Sequence, residues 1–478
     1  MSGSYEIGRR PFLAGLLGAG TLALPGCMSE GALHSAPAPQ GDDPPSAAAI
    51  TELLRARVEV QRRGTGAVAA MIDARGPAFS SFGVSRLGGP DKVGPASIFQ
   101  IASLTKVFTS YLLADAVERG EVALLDPLSR HVPGPAPSFE GRAITLLDLA
   151  THSSGLPLRP PSRVDRGQDD PYAGYSAADL QADMAAVRLT RAPGSAFDYS
   201  NFGYALLGAA LSHRTGKSYQ ELLQKRILDP LELGDTNLQA PSRQSPQWVQ
   251  GYDAQFEPME PWDFGALAPA GGLFSSLSDL GKFLSLWSGD RGAMSRIARR
   301  MLVPHRPGDD AQTSMALGWR ITSRNGKSIA WSNGTGGGVR SFMGLDVAAR
   351  RGALAFINMA TGTGVDDIGF RMLDPASTVD TAATPQREAI AVAAEVLNRY
   401  PGQYQFAPGD TIEIVRTDSG IALVQGAQRL QLFAETPTRF FIREDNVTVE
   451  FSGRGSDDRA QQFILAQGGE TFIYRRNE

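Results

Sequence analysis

Three short stretches carry side chains that can do covalent chemistry. Ser103-Leu104-Thr105-Lys106 sets a hydroxyl and an amine three positions apart, which on a helix puts them on one face, about 5–6 Å from each other. A serine hydroxyl is a weak nucleophile until a neighbouring base takes its proton. Lysine can be that base only if its pKa falls by about 3 from its usual ~10.4, as burial and nearby dipoles can achieve. Of the six lysines, Lys106 alone has a serine three positions earlier. The second stretch, Tyr199-Ser200-Asn201, offers a phenol that can carry a proton beside a cation, and an amide that can hold a substrate carbonyl. Of the eleven tyrosines, only Tyr199 has Asn two residues on. The third is Ser332-Asn333-Gly334-Thr335-Gly336-Gly337-Gly338. A glycine run at a strand edge lets a ligand approach the backbone closely. An N–H there, with that of Ser103, would form an oxyanion hole, each donor worth roughly 2.7–4 kcal/mol in the transition state. Taken singly, each stretch also fits a plain structural reading: Ser103 or Asn201 as a helix cap, the glycine run as a turn.

Other chemistries are excluded on residue type and spacing. Net charge is −4, with Lys+Arg 46 against Asp+Glu 50, so there is no basic surplus for nucleic acid. The five histidines show no HxxxH or HxH pair, and the one cysteine excludes an intrachain disulfide or a CxxC knuckle; no metal or cofactor is implied. No GK[ST] follows the glycine run, so it is not a phosphate loop. No GxSxG elbow is present, and His152 reads as a hydrogen-bonded structural histidine rather than a triad base. Trp319 and Trp331 read as core.

The elements that must position these residues fall into two regions. Residues 49–375 mix α and β. Strands are expected at Thr65–Ile72 and Ala78–Val84, a helix at Ser103–Arg119, a mostly helical stretch from Ile144 to Leu233, and closing strands at Leu317–Ile321, Ser328–Ser332, Ser341–Asp346 and Gly352–Met359. Strands, then helices, then strands predict an α+β fold: an antiparallel sheet flanked by helices, with a helical subdomain inserted. A linker follows at 376–394. Residues 395–478 read as a small all-β barrel built from seven short alternating segments, the first at Thr411–Arg416.

The N-terminus reads as an address. Arg9 and Arg10 precede a charge-free apolar run, Phe12–Leu24, too short to span a bilayer. Residues 1–27 thus read as a signal peptide with twin-arginine and lipobox features, the latter in Leu24-Pro25-Gly26-Cys27. Cys27 would carry lipid, and 28–48 would be a flexible tether. The expected location is the bacterial cell envelope, periplasmic and lipid-anchored.

Together, and in this order, the three motifs resemble those of the serine β-lactamase and penicillin-binding superfamily, most of all the class C β-lactamase, D-alanyl-D-alanine carboxypeptidase and family VIII esterase branch. Leu146–Pro157 and Ala270–Ser275 resemble it too, so the resemblance spans about 50–375. Residues 395–478 resemble the lipocalin-like domain of some of these hydrolases. The resemblance implies that Ser103 is acylated, that Lys106 and Tyr199 shuttle protons, that Asn201 supports the substrate amide, and that the N–H groups of Ser103 and Thr335 hold the oxyanion. The implied substrate is a cell-wall D-Ala peptide, a β-lactam or a small ester. The alternative is an envelope lipoprotein that recognises penicillin without hydrolysing it. At the third motif the family carries Lys or His, then a small residue and Gly; here stands Ser332-Asn333-Gly334. Arg159 stands where many class C enzymes have glutamine. A neutral hydroxyl at 332 favours neutral esters or amides, unless Arg340 supplies the charge that would meet a substrate carboxylate.

Overall fold

The computed structural model describes residues 43–163, 170–362, 364–381, 387–407, 410–425, 428–442, 447–467 and 470–477. The expected signal segment with Cys27, and the tether up to residue 42, lie outside the described residues. The chain divides into two compact units between residues 383 and 384.

The larger unit is built on an eight-stranded antiparallel sheet. The hairpin Gly66–Asp73 and Gly76–Gly83 sits at one end, followed across the sheet by Arg351–Ile357, Val339–Asp346, Lys327–Gly336, Arg320–Arg324, Thr313–Met315 and Arg306–Pro307. The first strand pairs with the last, Ala67 opposite Ile357, so residues 84–305 form one long excursion from the sheet. Strand alternation sorts the side chains into two layers. Val68, Ala70 and Ile72 pack into the core that holds the helices Thr105–Glu118 and Leu277–Ser288. Ala67, Ala69, Ile329 and Trp331 pack on the opposite face, beneath the helices Ala47–Arg55 and Asp366–Leu373.

The helix Thr105–Glu118 is buried nearly all round, as befits an element enclosed on every side. The helical region holds Leu146–Ala150, Ala177–Ala186 and Tyr219–Leu223, each opened by a capping box (Thr145 with Asp148, Ser176 with Asp179, Ser218 with Glu221), which satisfies donors that helix starts leave open. The longer helix Asn201–Thr215 is capped by Ser200.

Two expectations are corrected. The strand read at Leu317–Ile321 begins three residues later, at Arg320, because Gly318 adopts a positive φ of 78° and the chain turns there first. The second unit is a closed barrel of eight antiparallel strands rather than seven, each paired with its neighbour in sequence. The missed strand is Gly402–Ala407, which closes the barrel against Glu470–Arg476, Tyr404 opposite Arg476. The interior is filled: Tyr404, Phe451, Phe463 and Tyr474 are buried, with the rings of Phe463 and Tyr474 stacked at 5.0 Å. It is a packed core rather than a pore.

Candidate active site

The chain leaves the short strand Ile98–Gln100 and turns through Ala102–Leu104 into the helix Thr105–Glu118. Ala102 holds a φ of 49°, a left-handed conformation that costs a non-glycine residue about 1–2 kcal/mol. The turn is held from outside: Ile101 N–H donates to Leu273 O at 2.9 Å, and Ser341 Oγ donates to Ile101 O at 3.1 Å. Ser103, at the apex, is not a cap. Lys106 Nζ lies 3.0 Å from its Oγ, and Tyr199 OH donates to the same oxygen at 2.8 Å.

Lys106 is buried, with Ala270 O accepting from Nζ at 2.6 Å. Burial first, and the charge of Arg320 second, hold its ammonium well below the ordinary lysine range. A neutral amine there has a lone pair for the Ser103 proton. Burial pushes the Tyr199 phenol up, while the bond to Ser103 and the charge of Arg320 pull it back. The His152 ring lies tilted against the Tyr199 ring, centres 4.2 Å apart, and its Nδ1 accepts from Ser200 N–H at 3.1 Å. Burial keeps this imidazole neutral. With Nδ1 occupied, it serves as a shelf for the phenol.

Because Ser200 takes the capping role, its Oγ accepting from Gly203 N–H at 2.8 Å, the Asn201 side chain is released from it. Asn201 Nδ2 donates to Tyr172 OH at 2.6 Å. Its buried Oδ1 has no protein partner among the described residues. Tyr172 stacks on Phe264 at 4.9 Å and meets Trp262 edge-on at 6.0 Å, giving the site an aromatic wall that the sequence did not single out.

The third motif lies on the strand Lys327–Gly336. Its pairing with Arg320–Arg324 ends at Trp331, so from Ser332 onward that edge lacks this neighbour. Gly334 is the point of closest approach. A Cβ there would fall 2.6 Å from Ile101 O and 3.1 Å from Ser103 N, so only glycine lets the strand lie against the nucleophile's turn. Gln100 clasps the next segment, its Oε1 accepting from Gly337 N–H at 3.3 Å and from Trp262 N–H at 3.1 Å. Ser332 is buried opposite Met343.

The neighbouring side chains turn the other way, by strand alternation. Asn333 Nδ2 donates to Asp366 Oδ2 at 2.6 Å, and the Arg340 guanidinium donates to the Thr335 hydroxyl directly across the ladder. The structure thus brings Ser103, Lys106, Tyr199 and the Gly334 backbone together. It groups the side chains of Asn333, Thr335 and Arg340 with Asp366 at the start of the outer helix. Burial raises the Asp366 carboxyl to about 6, against the opposing pulls of Asn333 and Arg340.

Sequence reasoning missed Asp366 and also Arg320. The Arg320 guanidinium carbon lies 5.1 Å from the Trp331 ring centre, 5.5 Å from Tyr199 and 5.6 Å from Phe197. No motif marks either residue; the one available signal was a lone arginine in an otherwise apolar run, Ala316–Ile321. Trp319 is fully buried, and Trp331 is buried against Phe342 and Phe370. Among the described residues, no cluster of His, Cys, Asp and Glu could hold a metal ion, and no helix is long and apolar enough to cross a membrane.

Comparison with known proteins gives a consistent picture. A β-lactamase family profile matches residues 50–374, which contain the sheet, the helical region and all three motifs. The D-alanyl-D-alanine-carboxypeptidase/endopeptidase AmpH of Escherichia coli (strain K12) is 30% identical over 309 residues, covering 61% of this chain and 79% of its own length. Penicillin-binding protein 4* of Bacillus subtilis (strain 168) is 24% identical over 428 residues, 81% of this chain and 90% of its own. The solved structure of the octameric penicillin-binding protein homologue from Pyrococcus abyssi shares the fold, with a TM-score of 0.61 at 20% identity over 89% of this chain and 99% of that one.

Proposed function

The chain belongs to the β-lactamase family, and from that premise we propose that it is a serine hydrolase that cleaves an amide or ester through an acyl-enzyme on Ser103. The observation that carries this reading is the meeting of Lys106 Nζ and Tyr199 OH on one serine oxygen, at 3.0 and 2.8 Å. Ser103 Oγ attacks the substrate carbonyl carbon, and its proton passes to the Lys106 amine or the Tyr199 oxygen. The N–H groups of Ser103 and Thr335 hold the oxyanion. Collapse of the tetrahedral intermediate expels an amine or alkoxide, protonated by way of Tyr199, and leaves the acyl group on Ser103. Water then attacks the ester, and the acid departs. Asn201 Oδ1 is available to accept from a substrate amide N–H.

The substrate is a cell-wall D-Ala peptide, a β-lactam or a small ester. With a hydroxyl at 332, and Arg340 engaged by Thr335, neutral esters and amides are favoured over carboxylate-bearing substrates. The reading places the protein in the bacterial envelope, held by lipid on Cys27. The test is labelling with a fluorescent penicillin followed by timed loss of label, beside a panel of D-Ala-D-Ala peptide, nitrocefin and p-nitrophenyl butyrate. Ser103→Ala should abolish labelling while folding stays near normal, because Ser103 caps no helix. Retained turnover in that variant would sink the assignment. Label that is never lost would favour a binding protein.

A further inference from the structure

The third motif lacks a cation, and the site nonetheless contains one from a neighbouring strand. Arg320 stands directly opposite Trp331 in the ladder, one residue before Ser332. Its guanidinium is enclosed by three rings, those of Trp331, Tyr199 and Phe197, with the side chain only 7% exposed. The nearest carboxylate, Asp309, is 3.5 Å from Nε and is itself one-third exposed. A guanidinium held this way keeps its charge without a full counter-ion, because ring faces attract cations while leaving their field largely intact.

We propose that Arg320 is a positioning residue for the acylation step, supplying through the Tyr199 ring the positive charge that Ser332 cannot. The inference rests on the reading of Ser103, Lys106 and Tyr199 given above. Arg320 and Lys106 both face the Tyr199 ring, Lys106 Nζ at 4.8 Å from its centre. The other titratable groups around this pair are His152, whose ring lies tilted at 4.2 Å from that of Tyr199, Tyr204, whose ring centre is 5.6 Å from Lys106 Nζ, and Tyr172, which also feels Tyr199. All three are neutral at pH 7, His152 through burial and the two tyrosines because burial pushes their phenols above the ordinary range. Asp366, which accepts from Asn333, is a further acidic group that feels Arg320. Arg320 is therefore the fixed charge that biases both proton carriers. It disfavours protonated Lys106 and favours ionised Tyr199. The two effects act in the same direction, so the consequence does not depend on which group takes the Ser103 proton.

The experiment is the pH profile of acylation, read as labelling rate from pH 5 to 10 in the full-length protein, for wild type, Arg320→Met, Arg320→Lys and Asp309→Asn. Methionine fills the aromatic enclosure without charge. Arg320→Met should move the acidic limb of the profile upward by about one pH unit and lower acylation on that limb by up to about tenfold. Arg320→Lys should keep the limb near the wild-type position. Asp309→Asn, at a partly exposed site outside the enclosure, removes a negative charge from Arg320 and should move the limb the opposite way, downward. A purely structural role would lower the rate in Arg320→Met and leave the limb in place, and that result overturns the proposal. A limb that shifts equally in Arg320→Lys overturns it as well. Should Arg320→Met not fold, the Asp309→Asn profile decides, since an unmoved or upward limb there also refutes it. Failure of the hydrolase reading itself is separate: wild type would then not be labelled at Ser103 at all.

Discussion

Replacing Asp366 by asparagine should stabilise the catalytic unit at alkaline pH and leave its stability unchanged in acid. The carboxyl is raised from its ordinary 3.8 to about 6, mainly by burial, so the folded protein holds this proton more tightly than the unfolded chain does. Below pH 3.8 the group is protonated in both states, and nothing is lost. As the pH climbs from there through about 6, the unfolded chain releases the proton first, and folding stability falls with it. At about 1.4 kcal/mol per tenfold change in proton affinity, the span from 3.8 to about 6 amounts to a loss of up to about 3 kcal/mol that is complete by pH 8. Asparagine is nearly isosteric, and its Oδ1 can still accept from Asn333 Nδ2, so the variant removes the charge and keeps the bond. Urea unfolding followed by tryptophan fluorescence is the assay. All five tryptophans, Trp248, Trp262, Trp287, Trp319 and Trp331, lie before residue 375, so the signal reports this unit and not the barrel. Asp366→Asn should exceed wild type by about 2–3 kcal/mol at pH 8 and match it near pH 3.5. Equal stability at pH 8, or an advantage that persists undiminished in acid, would refute the reasoning.

Gly334→Ala should cost about 1–3 kcal/mol of stability by overpacking, and about 100-fold in acylation rate, because the new Cβ must push the strand away from the turn that holds Ser103; acylation at the wild-type rate would show that this contact does not position the nucleophile. Ser332→Lys should raise the rate on a carboxylate-bearing β-lactam, relative to a neutral ester, about fivefold or more, the difference between a charged and a neutral hydrogen bond. If that ratio does not change, charge recognition does not reside at this position. Cys27→Ser should release the protein from the membrane fraction, and unaltered fractionation would exclude the lipid anchor.

Sequence alone carried the parts of this protein that depend on local pattern. Ser103 and Lys106 are three residues apart on one chain segment, and that spacing means the same thing wherever the segment packs. Period-two alternation marked most strands, and the shift to short alternating segments after Pro401 marked the barrel. Local pattern failed where a fold-level constraint decides. Gly402–Ala407 is a strand because the barrel needs an eighth to close, and the start at Arg320 was displaced by the positive φ of Gly318. The site shows the same division. Tyr199 is 96 residues from Ser103 and Gly334 is 231 residues away, yet both touch it; their motifs were visible, but only packing could bring them to one serine. The sequence offered Arg340 as the replacement cation because it lies close along the chain. The structure places Arg340 against Thr335 and Arg320 against Tyr199, since the neighbours of a residue in a sheet are set by ladder register and by what other elements pack against it, and neither is written in sequence distance.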